Sequence, residues 1–524
     1  MRILYKIANK LFRIVKKILK LLTSRMVIIG VALLLEFCWL AGIMMQLNEK
    51  SVYINYAVTI LSLIAVLSII NNPKMNPGYK LMWAVCILAL PVTGICLYGI
   101  LGHSSVARKF RTHYDTVLLS QGGVLGEEEE TRKKLEEENI LAAGQSSYLT
   151  NYAHYPVYVN TETEYYPLGD VWFEHFIEEL KKAEHYIFME YFIISEGYLW
   201  DTVLEILKEK AAAGVDVRVI YDDFGCVTTL PYQYYKSLQQ MGIKCAAFNQ
   251  FRPVLNVILN NRDHRKIAVI DGHTAFTGGI NLADEYINRK ERFGHWKDSG
   301  ICLHGEAVWS FTVMFLQMWS TITGMECNFE SYRPEIYHEE AFKKDGFVQP
   351  YGDSPLDGET VGEHVYLNII SQAKKYLYIF TPYLIPDNET LTALCMAAKR
   401  GVDVRIVTPG IPDKKIVYIL TQANYEILLE SGVQIYQYTP GFIHSKSFVC
   451  DDEVATVGTI NMDYRSMYLH FECGVWMYGS SAVAQVNALT TFEQCEQINM
   501  DYCRKKNFAV RALRGALKFL APLL

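Results

Sequence analysis

Two segments of the chain carry the same pattern of reactive residues. His264, Lys266 and Asp271 are followed by Gly278 and Asn281; His444, Lys446 and Asp451 are followed by Gly458 and Asn461. Both read H-x-K-x4-D-x6-G-x2-N. Five residue types at about 5% usage each would meet this spacing by chance at ~10⁻⁴ in a chain of this size, so two copies are not an accident. Residues i and i+2 of a strand share a face, which points His264 with Lys266, and His444 with Lys446, in one direction. Imidazole, ammonium and amide together suit a phosphate diester. Lysine sets a point charge on a phosphoryl oxygen, asparagine donates a hydrogen bond, and histidine serves as nucleophile or general acid near neutral pH. One copy could be strand polar groups holding a turn; a matched pair facing each other makes one site with two histidines across one phosphorus. Lys266, Lys446, Asn281 and Asn461 are then expected to stabilise charge on the transferring phosphoryl group.

A histidine used in this way needs its second nitrogen held by another group. The candidates are Asp298 in W-K-D and Glu472 in H-F-E. Asp271 and Asp451 complete the catalytic motif, expected as supports that fix the loop and pair with a basic group. Glu190, on the strand before the first motif, is a candidate to line the site; polarity within a core strand explains it equally. No histidine–carboxylate cluster has metal-ligand spacing, so neither a metal nor another cofactor is expected.

The elements around the motifs repeat as well. Residues 213–220 read AGVDVRVI and 400–407 read RGVDVRIV. Each is a β-branched run after a helical stretch (199–213 and 387–400), as expected of a buried parallel strand. Before those helices lie IFMEYFII at 187–194 and LYIFTPYLI at 377–385, preceded by helical stretches 170–184 and 361–375. The pattern predicts an α/β protein whose duplicated domain has mixed, largely parallel sheets and flanking helices. The two repeats are placed at 166–345 and 346–507. Residues 112–165, dense in charge from Glu127 to Glu138, read as a connector with a solvated helix.

Residues 1–111 differ in kind. A basic start is followed by apolar stretches at about 26–46, 52–70 and 81–101, the first interrupted only by Glu36 and the others uncharged. About 20 apolar residues cross a bilayer, so these are expected to be membrane segments of a multi-pass protein in the cell membrane. Basic residues flank the set on both sides. Both flanks can be cytoplasmic only if one stretch does not span, and the first could lie along the interface instead. Pro91, Gly94 and Gly99 in the third fit a tilted or re-entrant segment as well as a span. The tail 508–524 alternates basic and apolar residues at helical spacing, as for a helix on anionic lipid or packed on the body. A net charge of −6 argues against a nucleic-acid partner. Twelve cysteines without a C-x-x-C pair place the main body on the reducing side.

With these features together, the chain resembles the phospholipase D superfamily through its twin motifs. It resembles bacterial cardiolipin synthases more fully, through the apolar start ending ALPVTGICLYGILG (89–102), the strand FMEYFII, the segment NMDYRS (461–466) and the terminal APLL. The resemblance implies a phosphatidyl group moved from one phosphatidylglycerol to another, giving cardiolipin and glycerol through a phosphohistidine. It implies His264 as nucleophile and His444 as general acid, then base. A phospholipase D that hydrolyses lipids, or transfers to another alcohol, would use the same residues. A membrane-tethered nuclease and a lipid-binding scaffold are more distant readings. One departure is Gly279, where many relatives carry serine and the second repeat has Thr459; the missing hydroxyl implies one phosphate contact fewer.

Overall fold

The computed structural model describes residues 50–73, 75–102, 108–120, 123–126, 129–250, 261–338, 341–486, 489–504 and 508–523, with single positions between 31 and 38. It divides into two compact units, the N-terminal hydrophobic unit and the body.

Most of the first apolar stretch, 26–46, lies outside the described residues. The second is the helix Lys50–Ile70. The third, expected as one segment, is two helices, Pro77–Ala89 and Pro91–Leu101, broken at Leu90 (φ −134°, ψ 77°). Pro91 is the cause: it has no N–H to give and its ring clashes with the preceding turn. The two helices cross closely, since a Cβ on Gly94 would stand 2.6 Å from the Cys86 carbonyl oxygen. Glu36, the one acid of the first stretch, is buried and accepts from the Thr93 N–H at 2.7 Å, at the positive start of the second of these helices. Among the described residues no helix is long and apolar enough to cross a membrane.

Among the described residues the body holds two large sheets and a two-stranded one, Gly441–Ile443 with His295–Lys297. The first repeat supplies β1 (Thr161–Tyr166), β2 (Tyr186–Tyr191), β3 (Asp216–Asp222), β4 (Lys244–Phe248), β5 (Arg262–Asp263), β6 (Lys266–Ile270), β7 (Thr274–Gly278), β8 (His295–Lys297) and β9 (Gly300–Gly305). The second supplies β10 (Phe347–Asp353), β11 (Tyr376–Phe380), β12 (Asp403–Pro409), β13 (Gln434–Tyr438), β14 (Gly441–Ile443), β15 (Ser447–Cys450), β16 (Val454–Gly458), β17 (His470–Tyr478) and β18 (Cys495–Ile498). Strand order is β1-β9-β7-β6-β2-β3-β4 in one sheet and β10-β17-β16-β15-β11-β12-β13 in the other, with β18 added at its edge. The duplication is therefore complete strand for strand.

The sheets are mixed, as expected, but not largely parallel. Only β2-β3-β4 and β11-β12-β13 are parallel; every other neighbour pair along the two sheets is antiparallel. The helices Tyr198–Ala212 and Asn388–Lys399 cross over between the parallel strands. The motif strands are joined by tight turns at Asp271-Gly272 and Asp451-Asp452, which can connect only antiparallel neighbours. Strands buried on both faces read as continuous apolar runs in either orientation, so the sequence pattern does not separate the two cases. All of β2 and β6 is buried.

The stretch 112–165 is part of the body rather than a free connector. In the helix Glu129–Glu138 Thr131 and Leu135 are buried. From the next helix, Ile140–Asn151, Gln145 accepts from the Trp476 indole of β17 at 2.6 Å, and Thr150 accepts from the Gln349 amide of β10 at 3.1 Å. The dense charges described one face of this segment; the apolar face docks on the second repeat. The tail helix Phe508–Leu520 also packs on the body. Arg514 donates to Gln422 at 3.0 Å, and Ala521 is buried with Leu420 and Ile385.

Candidate active site

Each motif histidine sits where the chain of one repeat is stitched to the other. β5, just before His264, runs parallel to the start of β17, just before Glu472. β14, just before His444, runs parallel to β8, just before Asp298. The His264 N–H donates to the Phe471 carbonyl at 2.9 Å and the His444 N–H to the Lys297 carbonyl at 2.7 Å. This exchange sets the side chains. His264 Nδ1 lies 2.9 Å from both carboxylate oxygens of Glu472, a residue of the second repeat. His444 Nδ1 lies 2.6 Å from Asp298 Oδ2, a residue of the first. Each histidine is thus oriented by an acid from the opposite half, and Nε2 is the nitrogen left for chemistry.

Both lysines are buried beside the histidines. Lys266 and Lys446 each donate to the carbonyl of their own histidine. Burial lowers their ammonium groups to about 8 and about 7, against the pull of Glu472 and Asp298, and Lys266 lowers Lys446 further. Two buried lysines that lower one another's affinity for protons favour binding an anion, as a phosphate diester would supply.

The two histidine pairs differ in charge. Burial pushes His264 down to about 3, so its imidazole is neutral. Burial opposes ionisation of Glu472, yet its contacts with His264 and His470 hold it well below the usual range. Burial and the Lys446 and Lys266 charges keep His444 neutral as well, while burial raises Asp298 to about 7 despite the lysines. The first pair is a neutral imidazole on a carboxylate. The second takes up a proton near neutral pH.

The other expected residues divide. Asp271 accepts from the N–H groups of Glu184, His185 and Tyr186 at 2.7, 2.8 and 2.7 Å. Asp451 repeats this with Lys374, Lys375 and Tyr376 at 2.7, 2.8 and 2.8 Å. They lie at the far end of the motif strands, roughly 20 Å from the histidines at about 3.3 Å per residue. Both hold backbone N–H groups rather than the basic side chain expected, and both lie apart from the histidines. Asp271→Ala is expected to cost about 3 kcal/mol by leaving those donors unpaired. A lower Tm with an unchanged pH optimum would bear this out; unchanged Tm would not. Glu190 does not line the site either. It opposes Ile267, so it lies on the sheet face opposite Lys266, and it ion-pairs with Arg265 there. Asn281 accepts from the Ile193 N–H at 3.0 Å and donates to the Tyr286 hydroxyl at 2.7 Å, which commits its amide to the scaffold instead of a phosphoryl group. Asn461 is buried, and its amide oxygen meets no hydrogen-bond partner among the described residues.

Sequence reasoning missed several neighbours. Phe192 packs edge-on to His264 at 4.9 Å and lies under Lys266; Tyr286, Trp296 and Phe442 surround His444 at 5.4–5.7 Å. Ser299 and Ser445 meet across the seam at 2.5 Å. His470 lies 5.6 Å from His264; its spacing of two from Glu472 on a strand was the available signal. His264, His470 and Glu472 each offer a ligand atom within 4.8 Å of the others, close enough for an ion. Lys266 beside them disfavours a cation, and Glu472 already accepts from Thr459.

The cardiolipin synthase, PLD-like domain model matches residues 176–319 and 366–495, covering both motifs. The chain belongs to this cardiolipin synthase family. A phospholipase D-nuclease N-terminal model matches 60–103. The cardiolipin synthase of Alkalihalophilus pseudofirmus is 34% identical over 472 residues, 88% of this chain and 92% of its own. That of Geobacillus thermodenitrificans is 33% identical over 506 residues, covering 95% and 98%. An uncharacterised protein of Streptococcus mutans is 43% identical over 475 residues, covering 88% and 99%. Among solved structures, a phosphatidylserine synthase of Haemophilus influenzae shares the fold, with TM-score 0.54 at 14% identity over 73% of this chain and all of that one.

Proposed function

We propose that the protein is a membrane-associated cardiolipin synthase that joins two phosphatidylglycerol molecules, with His264 as nucleophile and His444 as general acid and then base. One observation carries the division of labour: the neutral His264 rests on an ionised Glu472, while the His444–Asp298 pair takes up a proton near neutrality. The His264 Nε2 lone pair attacks phosphorus. The bond from phosphorus to the terminal glycerol breaks, and the His444 pair gives its proton to that leaving oxygen. A hydroxyl of the second phosphatidylglycerol then yields its proton to His444 and attacks phosphorus, and the P–N bond breaks. One diester replaces another, so no nucleotide is consumed. Lys266 and Lys446 stabilise the phosphoryl oxygens. The apolar N-terminal unit supports a multi-pass anchor, with the broken helix pair Pro77–Ala89 and Pro91–Leu101 as a re-entrant hairpin.

The test is purified full-length protein with radiolabelled phosphatidylglycerol in mixed micelles, without metal or nucleotide. Labelled cardiolipin and free glycerol are the expected products. Phosphatidic acid alone would make the protein a hydrolase. The first step needs the proton of the His444–Asp298 pair, which is present below about 7 and lost above it. The rate of glycerol release in a single turnover should therefore fall as pH rises through about 7, tending to tenfold per unit. A rate that stays flat from pH 6 to 9 would remove the pair as the proton source.

A further inference from the structure

The two half-sites are equivalent in topology but differ at two positions that touch. Gly458 opposes Gly474 across β16 and β17, and Gly278 opposes Gly300 across β7 and β9. Position 459 therefore corresponds to 279, and 472 to 298. In one half-site Thr459 donates its hydroxyl to Glu472 Oε2, accepts from the Cys473 N–H at 3.0 Å, and leaves both glutamate oxygens on His264. In the other half-site the position is Gly279. A Cβ there would stand 2.0 Å from Asp298 Oδ1 and 2.8 Å from its carboxyl carbon. Gly279, unlike its neighbour Gly278 with φ +139°, is not in a backbone conformation that demands glycine. A side chain there requires the Asp298 carboxylate to move.

The reason is one methylene. Asp298, between β8 and β9, leaves the backbone at the position that corresponds to Glu472, but its carboxylate is carried less far. To reach His444 Nδ1 at 2.6 Å it lies down over residue 279, with Oδ1 on the Ser299 N–H at 2.8 Å. Glu472 extends past residue 459 and leaves room for a threonine. The absence of a hydroxyl at 279, which read in the sequence as a lost phosphate contact, instead concerns the acid behind the histidine, because Thr459 points at Glu472.

We propose that Gly279 is a positioning residue for His444, and that the half-sites use two alternative matched pairs, glycine with aspartate and threonine with glutamate, of which only matched combinations hold the histidine in working geometry. This rests on the reading of His444 as the acid and base of the transfer. A side chain at 279 displaces Asp298 and releases the imidazole. A glutamate at 298 has no room for its extra methylene while its carboxylate stays over the glycine. Making both changes reproduces the arrangement around His264.

The experiment measures cardiolipin formation by full-length enzyme carrying Gly279→Thr, Asp298→Glu, both together, and His444→Ala. Each single change is expected to lower kcat about 10- to 100-fold with little change in KM, as loss of an orienting partner does. The double variant should recover to within about fivefold of wild type, a non-additivity that a merely structural role would not produce. Gly279→Thr with full activity overturns the proposal. So does a double variant that melts like wild type yet is no better than the worse single. If the double variant does not fold, the reciprocal pair Thr459→Gly/Glu472→Asp replaces it: recovery relative to its singles supports matched pairing, and its absence overturns it. An active His444→Ala enzyme would instead remove the site reading on which the pairing rests.

Discussion

His264→Ala is expected to abolish phosphatidyl transfer, by at least about 10⁵-fold, as removal of a covalent nucleophile does elsewhere. No other described side chain occupies its place: the neighbouring His470 is 5.6 Å away, ring to ring, and the second histidine carries its own acid. The substitution also leaves Glu472 as a buried charge without its imidazole, so a lower Tm should accompany the loss, and His264→Gln separates the two effects. A direct readout uses a phosphatidyl ester of p-nitrophenol, whose leaving group needs no proton. With His444→Ala this substrate should still load the enzyme, and the adduct should persist because no base activates the second lipid. Mass spectrometry should find the phosphatidyl group on the peptide containing residue 264. Finding it on the peptide containing residue 444 would reverse the assignment.

Glu472→Gln should lower activity about 10³- to 10⁴-fold while keeping the fold, since an amide cannot hold the imidazole in the tautomer that a carboxylate selects. Asp298→Asn should cost a similar factor on phosphatidylglycerol. The two separate on the p-nitrophenyl ester. Asp298 serves His444, whose proton that leaving group does not need, so Asp298→Asn should load at nearly the normal rate. Glu472 serves the nucleophile, so Glu472→Gln should remain slow. This contrast tests the exchange of acids between repeats. If each acid instead served the histidine of its own repeat, Asp298→Asn would be the variant that fails to load.

The chemistry of the site was legible in the sequence because it depends on local spacing. A separation of two on a strand decides that His264 and Lys266 share a face, and the twin motif requires both halves. The crossover helices and the β-branched runs at 216–222 and 403–409 were legible for the same reason. Orientation of the remaining strands was not, because buried strands carry no alternation to read. Glu190 misled for a related reason: an acid in a core strand looks the same whether it faces the site or, as here, an arginine on the opposite face.

By itself the sequence determined the duplicated α/β body and singled out the histidines and lysines proposed to carry phosphodiester chemistry, all properties of residues a few positions apart. Only the tertiary structure decided which acid holds which histidine, with partners 208 and 146 positions apart and paired across repeats. It also placed Asp271 and Asp451 on backbone N–H groups away from the histidines, and set Gly279 against the Asp298 carboxylate. The physical reason is common to all of these. Strand geometry is set by neighbours in the chain, whereas β5 on β17 and β14 on β8 come together only when the two repeats pack about a shared seam.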